Sequence, residues 1–180
     1  GLVKDALFTA NLITYEKLRD SILKSIAEKK LESEMTKEVL STPKQLELLK
    51  SIAEQIEDID IRCTFLKKIA EKQLEFGLID DALSIANLLQ YPSWKDPILK
   101  SIARKQLESG LIEDALSIVN LIQYATNRNP ILKSIARKQL VSGLVKDALF
   151  TANLITSEKL RDPILKSIAE KQIKSGMIED

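Results

Sequence analysis

A chain of 180 residues with 44% hydrophobic content is long enough to bury a sizeable core. Its 27 basic and 26 acidic residues leave a net charge of +1, which counts against a nucleic-acid binder, a class that ordinarily carries a basic excess. A single cysteine, Cys63, and no histidine exclude an intrachain disulfide, a cysteine-built zinc site and the commonest general base.

In chain order the sequence repeats itself. Gly77, Gly110, Gly143 and Gly176 are 33 residues apart, and Gly1 opens the chain in the same context. Residues 1–33 match 143–175 at 28 of 33 positions, and 77–109 match 110–142 at 24 of 33. The units are therefore 1–33, 34–76, 77–109, 110–142 and 143–175, with 176–180 opening another. A fixed-period helical repeat predicts an all-α chain, a right-handed α-solenoid of antiparallel helix pairs forming one array. Unit 34–76 is ten residues longer than the others and irregular. A short turn at 35–41 and a displaced second helix at 43–57, opened by Thr42-Pro43, are expected there.

The stretch 97–122 shows how each repeat is read. Asp96-Pro97 is expected to start the first helix, with Asp96 as its N-cap; Asn129-Pro130 and Asp162-Pro163 repeat the signal. Ile98, Leu99, Ile102, Ala103 and Leu107 form one apolar stripe, and Gly110 ends the helix. A second helix over about 111–123 is apolar nearly all round, so neighbouring repeats are expected to cover it. The loop 124–129 then leads to the next start.

A small residue on the first helix, a glycine seven positions on and an alanine five beyond that recur as Ala70–Gly77–Ala82, Ala103–Gly110–Ala115 and Ala136–Gly143–Ala148. In this the chain resembles a divergent tetratricopeptide-type repeat. It departs from that pattern in its 33-residue period and in placing Gln73, Gln106, Gln139 and Gln172 where a bulky aromatic is expected. The resemblance implies that the first helices line a concave face. Lys24/Glu28, Lys67/Glu71, Lys100/Arg104, Lys133/Arg137 and Lys166/Glu170 would then point into the groove. Only the two central repeats carry a second cation in place of glutamate, which makes Lys100, Arg104, Lys133 and Arg137 the candidate peptide-binding residues, flanked by Lys24, Lys67 and Lys166. Adjacent cations bind carboxylates through charge-assisted hydrogen bonds, the chemistry of a clamp for an acidic peptide or a C-terminal carboxylate.

The functional expectation is a protein-interaction scaffold or adaptor that holds a peptide or helix in its groove. The alternatives are an RNA-binding helical repeat, or a spacer or assembly segment with no ligand of its own. No catalytic, metal or cofactor residues are assigned, and no enzyme activity is expected. Asp80-Asp81 and Glu113-Asp114 are explained by the dipole at the start of a helix. Asn11, Asn87, Asn120 and Asn153 are expected to satisfy a backbone group or their counterparts next door, a ladder between repeats; Tyr15, Tyr91 and Tyr124 either plug the inter-repeat loop or form a ridge with Trp94. Cys63 is expected to pack near a helix start. No apolar run approaches the roughly 18–20 residues of a membrane span, and no secretory leader is visible, so a cytoplasmic location is favoured. Neither end reads as a cap. A fragment of a longer array, able to stack end to end through residues such as Leu2 and Ile168, is the expectation.

Overall fold

The computed structural model describes residues 2–33 and 43–174. The expected turn at 35–41 and the repeat starting at Gly176 lie outside them. Among the described residues there are ten helices, packed largely as sequential pairs. They are α1 (Leu2–Asn11), α2 (Glu16–Ser33), α3 (Pro43–Gln55), α4 (Ile59–Glu75) and α5 (Ile79–Leu88). There follow α6 (Pro92–Glu108), α7 (Ile112–Val119), α8 (Ala125–Val141), α9 (Val145–Asn153) and α10 (Glu158–Lys174).

The chain divides into two compact units, Gly1–Trp94 and Lys95–Asp180. Within the first, α1 packs on α2, α4 on α5, and α2 on both α3 and α4. Helix α3 touches α2 and α4 and lies within the stretch 43–57 where a helix was expected. Ala10, Leu23 and Ile56 close a small core there, with Leu7, Ile26 and Ile61 against it. Within the second unit α8 packs on α7, α9 and α10, and α9 on α10. Its core joins Ala136 and Leu140 of α8, Val145, Ala148 and Ala152 of α9, and Ile164 and Ile168 of α10. The small residues Ala70, Ala82, Ala103, Ala115, Ala136 and Ala148 are all fully buried, at positions where any longer side chain would push a neighbouring helix away.

Three turns are built alike. At Gly110 the backbone turns left-handed (φ +83°), the N–H of Leu111 reaches the carbonyl of Gln106 at 2.9 Å, and that of Gly110 reaches Leu107 at 3.1 Å. The same pair of bonds closes the turns at Gly77 and Gly143. This is the Schellman arrangement, which pairs the last carbonyls of a helix at the cost of one residue at positive φ. No neighbouring atom crowds a Cβ at these glycines, so the dihedral alone demands glycine.

Two expectations are corrected. The first helices start earlier than the Asp-Pro and Asn-Pro pairs: Pro97, Pro130 and Pro163 lie inside α6, α8 and α10. Each proline is the sixth residue of its helix, past the N–H groups that lack an intrahelical partner, so each removes one bond to the carbonyl four residues back; 124–129 is mostly helix rather than loop. The second helices are not covered all round either: Leu111 and Leu121, flanking α7, stay 46% and 49% exposed.

Candidate functional site

Successive repeats are joined by side chains that reach from one first helix to the start of the next. Asp96 in α6 is fully buried and does not cap its own helix. Its carboxylate accepts from the N–H groups of Gln123 (3.2 Å) and Tyr124 (2.7 Å), the two peptides leading into α8. In the same register of α8, buried Asn129 accepts from the N–H of Thr156 at 3.4 Å and donates to the Thr156 hydroxyl at 3.0 Å, just before α10. In the first unit, buried Asp20 of α2 accepts from the N–H of Asp58 at 2.6 Å, and Asp58 in turn caps α4 through Asp60 and Ile61. Asp96 and Asn129, read as starting their own helices, therefore position the following ones. Fully buried Asp96 is tolerated because peptide N–H groups on both oxygens replace the water it loses; Asp20 has such an N–H on Oδ2 only, and its Oδ1 lies 3.9 Å from Nε of Arg19 with no hydrogen-bond partner among the described residues.

A second link runs between helix C-termini. Lys138 of α8 donates to the carbonyl of Leu107, and Lys171 of α10 to that of Leu140. These carbonyls already receive the turn glycine's N–H, so the ammonium sits where the helix dipole is negative. Sequence reading missed this pair because a lysine next to the buried stripe looks like any solvated lysine.

The candidate groove residues behave differently from repeat to repeat. Lys67 pairs with Glu71 at 3.6 Å and Lys166 with Glu170 at 3.8 Å, both spaced one helical turn apart. Glu28 pairs with Lys68 of α4 and not with Lys24 on its own helix. Lys100 and Arg104 on α6 and Lys133 and Arg137 on α8 have no carboxylate partner among the described residues; the two arginines are exposed and the two lysines half-buried. All four belong to the second unit, on helices joined through Lys138.

Among the described residues the asparagines form no ladder. Asn11, Asn87, Asn120 and Asn153 are exposed at or next to the ends of second helices, and Asn11 bonds the Gln55 side chain of α3 at 3.1 Å. An exposed asparagine at a helix terminus costs little, since its side chain competes with the backbone only within a helix interior. Tyr15, Tyr91 and Tyr124 are about half exposed or more, and Trp94 follows Tyr91 by one turn. Ile168 is 1% exposed beneath α9 and does not form free surface as expected, whereas Ile173 on the same helix is 61% exposed. The side chain of Leu2 lies outside the described residues.

Cys63 is buried near the start of α4, as expected. Burial pushes its thiol above the ordinary range; Arg62 opposes this and Asp60 adds to it. Asp80-Asp81 and Glu113-Asp114 sit in the first turns of α5 and α7. Among the described residues no group of three or more histidine, cysteine or acidic side chains is placed to hold a metal, and no helix is long and apolar enough to cross a membrane. No protein-family model, curated protein or solved structure matches the chain.

Proposed function

We propose that the chain is a protein-interaction scaffold, a right-handed solenoid of tetratricopeptide-like hairpins whose first helices hold an acidic peptide or a C-terminal carboxylate. The observation that carries this reading is the unpaired state of Lys100, Arg104, Lys133 and Arg137 among the described residues, set against the glutamate partners of Lys67 and Lys166. Four cations without internal counter-charge attract a carboxylate from outside, and the arginines offer it a bidentate fork.

The test is titration of a labelled acidic peptide with a free C-terminus. Arg104→Glu combined with Arg137→Glu is expected to weaken binding at least tenfold, and raised salt to weaken the parent in the same direction. Unchanged affinity in the double variant overturns the assignment.

A further inference from the structure

One junction between repeats lacks the polar side chain that holds the others. The register that carries Asp96 in α6 and Asn129 in α8 falls, 33 residues earlier, on Cys63 in α4. The peptides equivalent to Gln123 and Tyr124 are Gln90 and Tyr91, at the entry to α6. Their N–H groups have no hydrogen-bond partner among the described residues. A thiol is shorter than a carboxylate and, in its neutral form, carries no charge to offer them.

A cavity of about 290 Å³ lies beside Cys63 and is lined by Gln90, Tyr91, Lys50 and Arg62. Its remaining wall is largely apolar, including Leu66 and Leu89, with exposed Glu54 at the side. Lys50 is held 3.9 Å from Glu47, and one guanidinium nitrogen of Arg62 donates to the carbonyl of Ile56 at 3.2 Å. The cavity is thus lined both by the two residues whose peptide N–H groups are unpartnered and by two cationic side chains, among apolar ones.

We propose that this cavity binds a small carboxylate with an apolar body. Its carboxylate sits on the Gln90 and Tyr91 N–H groups, as that of Asp96 sits on Gln123 and Tyr124. Three other junctions of this chain show the register filled by a side-chain oxygen: Asp20, Asp96 and Asn129 each accept from the backbone that opens the next first helix. Where the chain supplies a thiol instead, the oxygen comes from a ligand, and the leucine-lined wall receives the rest of it. The source is a free monocarboxylic acid or the carboxylate of a peptide, which share this chemistry.

Amide resonances of the whole chain, followed during titration with hexanoate, test the proposal. Saturable shifts are expected at Gln90 and Tyr91. Gln123 and Tyr124, whose N–H groups Asp96 already occupies, should not respond, and hexanol should not reproduce the pattern. Cys63→Asp, which supplies the missing carboxylate from within, is expected to weaken hexanoate binding at least tenfold, while Cys63→Ala keeps it. A short apolar peptide with a free C-terminus, compared with its amidated form, separates the sources. Displacement of hexanoate by the free form alone marks a peptide ligand, and failure of both forms marks a free acid. The proposal is overturned if Gln90 and Tyr91 respond no more than Gln123 and Tyr124 in the unmodified chain, or if a folded Cys63→Asp variant binds hexanoate as tightly as the parent.

Discussion

The entry to α8 and the entry to α6 are the same turn carried out with different chemistry. At α8 a buried carboxylate takes two peptide N–H groups and leaves them dry. At α6 a buried thiol leaves the equivalent groups beside a cavity. The apolar residue preceding each entry is buried alike, Ile122 at 1% and Leu89 at 2% exposure, so the difference is not one of hydrophobic packing. A helical repeat can keep its core constant and vary its junctions one side chain at a time, because the core is set by the apolar stripe and the junction by a single polar position.

Making the first junction resemble the second is expected to have the largest effect. Asp96→Ala strips Gln123 and Tyr124 of a charged acceptor, and bonds of this kind contribute about 1.5–3 kcal/mol each. Water regains some access to these peptides, which flank an exposed tyrosine, so the loss should come to about 3 kcal/mol for the pair. Chemical denaturation measures it, and amide exchange at Gln123 and Tyr124 should accelerate in step. A loss below about 0.5 kcal/mol would mean that the carboxylate contributes no more than a surface contact.

The glycine turns, by contrast, should not distinguish the two regions. Gly77 and Gly110 have φ of +76° and +83° and the same pair of closing bonds. Alanine at either position pays the left-handed penalty of about 1–2 kcal/mol with no clash to add to it. Denaturation midpoints of Gly77→Ala and Gly110→Ala should fall by similar amounts, and a large inequality would show that the surrounding packing differs after all.

Much of this was legible in the sequence. Helical periodicity, the 33-residue spacing and the glycine stops rest on local chemistry, and α3 could be placed from its copy of the first-helix text. The unpaired cations were legible as well, since i,i+4 pairing is a local rule: Lys67 and Lys166 have their glutamates and Lys100 and Lys133 do not. What could not be read was the direction of the long-range polar bonds. An Asp before Pro is a strong N-cap signal, yet Asp96 faces a turn 27 residues ahead, and only packing decides between the two. Gln106 and Gln139 were visible only as departures from an aromatic; in the structure they are buried and their carbonyls close the glycine turns. Cys63 read as packing because its meaning lies in what the equivalent positions do.

Asn129 offers the finest test of the comparison, since it stands between the two cases. It is 4% exposed and fills the register of Asp96, but as a neutral amide its bond to the Thr156 N–H is long, 3.4 Å. Asn129→Asp removes the amide's donation to the Thr156 hydroxyl, which is itself 3.4 Å from Oδ1 and can turn to donate instead. The acceptor becomes charged, and charge-assisted bonds are roughly twice as strong as neutral ones. Against this stands the cost of burying a carboxylate, which Asp96 and Asp20 bear at full burial in the same role. The balance is expected to be a small gain, about 0.5 kcal/mol by denaturation, with slower amide exchange at Thr156 as its local signature. A variant less stable than the parent would show that the α8–α10 junction is built for an amide. In that case the polar position at each junction would be matched to its own turn and not interchangeable along the chain.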